Sequence, residues 1–206
     1  MILSLEPNWQ RELWASPYRL RFELCDGDHV GRYLTKFTRS FDRARCLARM
    51  ALPTDSVTGI IGAFPHPSMV MNAQQYGWTT ETGFEQLSEL GVSCEAALGS
   101  WSGFWWPGDE ADPEAEQWVQ RAVSLTWDEA DIFLWNQIAL DLGVEPRAPV
   151  LTKLVDLERG VCVNAYDDRG MDITALTKEP LVELYSQFNS WLLDDDRNRM
   201  AAVFES

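Results

Sequence analysis

VCVNAYDDRGMDITALTKEPLVELYSQFNSWLLDDDRNR, residues 161 to 199, decides how this chain is read. Val161 to Tyr166 is a short β-type run, and Asp167-Asp168-Arg169-Gly170 is a tight turn with glycine last. Met171 to Ala175 continues as a second strand. Thr177 is a good helix N-cap, with Leu176 and Leu181 at staple positions around it. Leu181, Leu184, Tyr185, Phe188, Trp191 and Leu192 then recur at i, i+3, i+4, i+7, i+10 and i+11, the apolar stripe of one amphipathic helix. Strands joined by tight turns require antiparallel pairing, so this unit argues for an antiparallel or mixed sheet rather than a doubly wound parallel one.

The text upstream agrees. Trp9, Leu13 and Trp14 could share one face of a short helix before Pro17. Tyr18 to Cys25 alternates apolar and charged residues, as a half-buried strand does, and Asp26-Gly27-Asp28 is a turn. A long helix is expected over Val30 to Ala51. Val57 to Phe64 reads as a buried strand, ended at Pro65-His66-Pro67, and Thr80 to Leu90 as a helix capped by Thr79 or Thr80 and closed by Gly91. Trp118 to Trp127 is a strand, and Asp128 caps a helix that runs to Leu142 and stops at Gly143. Val150 to Leu157 is a strand that turns at Glu158-Arg159-Gly160 into the opening stretch. The expectation is a single α+β domain over residues 1–206. Its antiparallel or mixed sheet has five or six strands, with helices packed mainly on one face.

Charge is unevenly distributed along the 206 residues, which carry net −15. Residues 1–50 hold nine Lys/Arg against six Asp/Glu, while residues 51–146 hold Arg121 alone against fifteen acids. So acidic a segment repels phosphate and selects against direct nucleic-acid binding; a basic protein is the partner that its field favours. Arg32, Lys36, Arg39 and Arg43 form a basic helical stripe, expected to be solvated or to pair with internal carboxylates. Cys25, Cys46, Cys94 and Cys162 lie far apart, with only His29 and His66 to assist, so neither zinc nor another cofactor is expected. The N-terminus lacks signal-peptide character and no run is long enough to span a bilayer, which points to a cytoplasmic protein away from membranes.

Two constellations could carry function. Residues 99–117 read as an acidic, tryptophan-rich loop. Trp101, Trp105, Trp106, Asp109, Glu110 and Asp112 are its candidate contact residues for a basic partner, because rings supply contact area and acids steer and pair with Lys/Arg. The other constellation is the aspartates of the opening stretch. Asp167, Asp168, Asp194 and Asp196 could bind Mg²⁺ or Mn²⁺ for metal-assisted phosphoester hydrolysis if they met in space. The competing reading is a clasp, in which Arg169, Arg197 and Arg199 neutralise those acids and tie the turn to the helix end.

YDDRGMDITA and LYSQFNSWLLDDDR resemble a bacterial domain-of-unknown-function family marked by a YDDRG(L/M)D turn and an LY..(Y/F)N.W(I/L)LD.DR helix. The matching positions are Tyr166, Asp167, Asp168, Arg169, Gly170, Asp172, Leu184, Tyr185, Asn189, Trp191, Leu193, Asp194, Asp196 and Arg197. Phe188 and Asp195 stand where that family shows Tyr. The resemblance implies a small bacterial protein without an assigned activity, from a family in which some members are taken for immunity proteins of toxin systems. The expected function is therefore a non-catalytic, immunity or antitoxin-type protein that neutralises a basic partner, a candidate toxin. A metal-dependent hydrolase and a housekeeping protein-interaction module are the alternatives.

Overall fold

In the computed structural model the described residues are 5, 9–25, 33–64, 79–94, 97–106 and 108–205. The turn expected at Asp26–Asp28, the break at Pro65–Pro67, both histidines and Arg32 lie outside them. The chain order is α1 (Gln10–Ala15), β1 (Arg19–Glu23), α2 (Tyr33–Ala51), β2 (Val57–Ala63), α3 (Thr80–Glu89), β3 (Ala97–Gly103), β4 (Trp118–Leu125) and α4 (Trp127–Leu142). It continues with β5 (Val150–Asp156), β6 (Val161–Ala165), β7 (Gly170–Ala175), α5 (Glu179–Gln187) and α6 (Arg197–Phe204). The strands form one sheet in the order β1-β7-β6-β5-β2-β4-β3. All of its pairings are antiparallel. The fold is α+β, but the sheet has seven strands instead of the five or six expected. The additional strand is β3, inside the stretch read as loop. Gly99, Ser100, Ser102 and Gly103 leave its alternation without an apolar signal, and pairing with β4 makes it a strand.

The two sheet faces are covered differently. On one, residues of α2 to α6 such as Phe37, Leu47, Phe84, Phe133, Ile138, Leu184 and Met200 bury the main core against Phe22, Ile61, Leu154, Val163 and Ile173. On the other, α1 supplies Trp9 and Leu13, which join Trp105, Trp118, Ile60, Leu151, Val155 and Cys162. Glycines in β2 permit the close approach of rings: a Cβ on Gly62 would lie 2.5 Å from Trp105 Cε3.

Local caps set the helix ends. Thr79 and Thr82 form a reciprocal capping box on α3. On α4 the cap is Thr126, not Asp128. The Thr126 hydroxyl accepts from Glu129 N at 3.3 Å, and Thr126 N donates to Glu129 Oε2 at 2.8 Å, which a capping box rewards over a lone aspartate. Gly143 closes α4 with φ of 67°.

The single closing helix expected from Thr177 is not formed. Helix α5 starts at Glu179 and ends at Gln187, and two 3-10 turns (Asn189–Trp191 and Asp194–Asp196) lead into α6. The break lets Leu193 N donate to Arg21 O at 2.8 Å, with Leu192 bridging Phe22, so the chain folds along the β1 edge. Arg197 supports this path by donating to the Leu192 carbonyl and to the Asn189 carbonyl, both at 3.1 Å; the latter also accepts Leu192 N at 3.2 Å. Arg21 N donates to Met200 Sδ at 3.4 Å and Arg199 to Arg19 O at 3.1 Å, so this sheet edge is closed off.

Gly62→Ala should displace the Trp105 ring and destabilise the fold by about 1–3 kcal/mol. Urea denaturation followed by near-ultraviolet circular dichroism checks both effects; unchanged stability with an unchanged tryptophan spectrum would contradict the packing at Gly62.

Candidate functional site

The motif residues form a connected set of ion pairs. Asp167 Oδ1 accepts the backbone N–H of Arg169 at 2.7 Å and of Gly170 at 3.1 Å, and its Oδ2 accepts Arg169 Nε at 2.8 Å. Asp168 is buried and pairs with Lys36 of α2, while its carbonyl accepts Ser40 Oγ at 2.6 Å. A hydrogen bond to Asp168, with burial second, pushes the Asp141 carboxyl of α4 up to about 6. Gln137 of α4 donates to Tyr166 O at 3.4 Å, and a Cβ on Gly170 would collide with the Tyr166 hydroxyl. The YDDRG turn is thus clamped between α2 and α4.

Asp172 works on the other sheet face. It accepts Arg21 Nε at 3.1 Å, and Arg21 also reaches Asp196 at 3.5 Å, which Arg199 holds at 3.1 Å. Burial raises the Asp172 carboxyl in spite of Arg21. Asp194 pairs with Arg197 at 3.0 Å, and Arg197 donates to Asn189 Oδ1 at 2.9 Å. The Tyr185 hydroxyl donates to Glu205 at 2.6 Å, and the Trp191 ring lies under the Arg43 guanidinium at 4.9 Å. The hairpin and the C-terminal turns are therefore joined by Asp172 through Arg21 of the first strand, not by Asp167, Asp168 and Arg169. Asp167 and Asp168 face Arg169 and Lys36, whereas Asp194 and Asp196 face Arg197, Arg199 and Arg21, so the four candidate metal ligands do not converge. Among the described residues no group of three or more His, Cys, Asp or Glu is placed to hold a metal ion. In the basic stripe Lys36 pairs with Asp168, and Arg43 donates to Glu23 O at 3.1 Å.

The acidic segment between β3 and β4 is built differently. Trp105, read as a contact residue, is 1% exposed: it packs against Trp118, with ring centroids 5.7 Å apart, and over Gly62. A large ring with an apolar pocket beneath it packs inward. Trp101 is half-buried, and Trp106 is 36% exposed. Gly108, with φ of 100°, starts the 3-10 turn Asp109–Ala111. Asp109 is half-buried, and burial raises its carboxyl. Glu110, Asp112, Glu114 and Glu116 are exposed. The Glu110 carboxylate accepts Gly108 N at 3.0 Å as well as its own backbone N–H, and Asp112 accepts Glu114 N at 2.9 Å; among the described residues none of these five acids is in a salt bridge.

The base of this lobe contains a residue that the sequence reading passed over. Lys153 of β5 is 4% exposed. Its ammonium donates to Trp105 O at 3.0 Å and to Gln10 Oε1 of α1, and sits 4.1 Å from the Trp105 ring and 5.4 Å from that of Trp106. Burial lowers its pKa to about 8. Asn164, Asp172 and Thr174, all buried, and Cys162 lie beside it under α1. Above, a cleft of about 230 Å³ opens between Gln10, Arg11 and Trp14 of α1 and Phe104, Trp106 and Glu110 of the lobe. The available signal was a lone lysine inside the otherwise buried strand VLTKLVD.

The class these features define is an α+β protein with an ion-paired motif core and a separate acidic, aromatic lobe. The chain belongs to the family described as domain of unknown function DUF3885, which matches residues 8–196. No curated protein and no solved structure matches it. No helix among the described residues is long and apolar enough to cross a membrane.

Three substitutions probe the ion pairs and buried charges. Between its folded value of about 8 and its unfolded value of 10.5, Lys153 holds a proton more tightly in the unfolded chain, so stability rises with pH in that window. The change in urea-derived stability from about pH 8 to pH 10 should be more favourable by roughly 2 kcal/mol in the wild type than in Lys153→Met; the buried Cys162 thiol, pushed up to about 11, works in the opposite direction in both chains. Arg21→Gln leaves Asp172 buried without its partner and should cost about 3 kcal/mol, against less than about 1 kcal/mol for Asp196→Asn at the solvent edge. Equal effects of these last two in chemical denaturation would contradict the assignment of Arg21 as the joining residue.

Proposed function

We propose that the protein is a non-catalytic, cytoplasmic binding protein of the immunity or antitoxin type, which neutralises a basic partner protein through the acidic lobe. The observation that carries this reading is the division of the carboxylates. Those of the family motif are held in salt bridges by Arg and Lys, whereas Asp109, Glu110, Asp112, Glu114 and Glu116 make none among the described residues; Lys153 and Arg11 act on Asp109 and Glu110 only from beyond salt-bridge distance. Acids free of salt bridges, four of them exposed and Asp109 half-buried, beside exposed rings make a surface that attracts a cationic protein at long range and holds it by contact. Trp106 and, across the cleft, Trp14 at 40% exposure supply the rings. The contact set is Trp106, Asp109, Glu110 and Asp112, with half-buried Trp101 at its border and Trp105 as its internal support. The net −14 of residues 51–146 and the likeness of the motif to a family with suspected immunity members support the same reading.

The immobilised chain should retain a cationic protein from its host extract at about 50 mM salt and release it toward about 0.5 M. A variant carrying Asp109→Asn, Glu110→Gln and Asp112→Asn should bind that protein about tenfold more weakly. Equal binding by the variant excludes the lobe as the contact. Failure to retain any cationic protein excludes the reading itself.

A further inference from the structure

The two edges of the sheet are treated in opposite ways. The β1 edge is closed by Leu193 N on Arg21 O, by Met200 Sδ on Arg21 N and by Arg199 on Arg19 O. The β3 edge has little such cover: among the described residues β3 pairs with β4 alone, and of its carbonyls that of Gly103 accepts Gln120 Nε2 at 3.1 Å. Of the usual deterrents to strand addition it carries neither edge charges nor proline, and its irregularity is confined to its first residues. Its sequence ALGSWSG contains no charged residue and no proline. A register shift between Ala97 and Gly99 marks its first residues, and Gly99 to Gly103 then pair regularly with Ala122 to Trp118. Leu98 is 56% exposed, and Ser100 and Ser102 are also exposed.

We propose that β3 is the docking edge for an extended basic segment of the partner, which joins the sheet as an eighth strand. This inference rests on the proposed function and states how the partner is held. Main-chain hydrogen bonds to the outward N–H and C=O groups of β3 supply affinity with little demand on sequence, so selection must come from charge. Gly103 leads directly into the lobe that holds Asp109, Glu110, Asp112, Glu114 and Glu116. A strand laid along β3 passes into their field, where lysines and arginines are attracted and acids repelled. The same charge argues against a second copy of this chain as the occupant, since two molecules of net −15 would bring their acidic lobes together.

The test uses the whole chain and two acetylated, amidated heptapeptides, one alternating lysine with valine and the other glutamate with valine. Amide hydrogen exchange and the Trp106 indole resonance are followed by NMR at low salt. Alternate amides of residues 99–103 should exchange freely in the free chain and slow by about tenfold or more with the lysine peptide, and not with the glutamate peptide. Leu98→Lys with Ser102→Lys, which places cations on the edge, should weaken the lysine peptide about tenfold. Slow exchange at all β3 amides in the free chain overturns the proposal, because the edge would already be covered. A shift of the Trp106 indole without protection in β3 overturns strand addition and leaves the acidic lobe as the binding surface. No response of either to the lysine peptide contradicts both.

Discussion

The ammonium of Lys153 sits in the middle of the sheet face that helices α2 to α6 do not cover. Taking such a charge out of water is costly, and the lowering of its pKa to about 8 records that cost. What offsets it is specific: the Trp105 carbonyl, the Gln10 amide oxygen and the faces of Trp105 and Trp106. These groups belong to α1 and to the base of the acidic lobe. One buried lysine therefore fastens both coverings of the second face to the sheet, and the Trp105 ring, seated on Gly62, completes the anchorage from the apolar side. The lobe is consequently a surface carried on a packed base.

The same economy of charge separates the family motif from the lobe. In the motif, Asp167 closes a turn, Asp168 draws the turn to α2, and Asp172 and Asp196 share Arg21 so that the end of the chain is held along the first strand. Each carboxylate has a cation or backbone amides as partners, and its role is accounted for by the fold it stabilises. The lobe has the converse arrangement, with acids held apart by short turns, Asp109 half-buried and the other four left to solvent. A cluster of aspartates in a signature sequence is thus the framework, and under the proposed function the surface offered to a partner lies in a stretch with little regular patterning.

Much of this was legible in the sequence where a period or a cap is involved. The opening hairpin, the apolar stripe of α5, the capped α3 and the glycine stop of α4 all follow from local rules. Strand β3 was not legible, because its identity comes from hydrogen bonds to β4 and not from its own glycines and serines. The break after Gln187 was equally hidden, since Arg197 and the β1 edge, distant in sequence, make it favourable. Trp105 and Trp106 are adjacent in sequence, yet one is core and the other surface; only the seat at Gly62 distinguishes them. Lys153 was legible in principle, as a charge in an apolar strand, but its partners were not.

The division of carboxylates into structural and presented sets is the central claim, and residue-resolved carboxyl labelling of the chain, free and bound to its captured cationic partner, tests it most directly. Glu110, Asp112, Glu114 and Glu116 should label readily in the free chain and be protected by the partner, while Asp168 and Asp172 stay slow in both. Protection of the exposed motif residue Asp194 with the lobe still labelled would contradict the account.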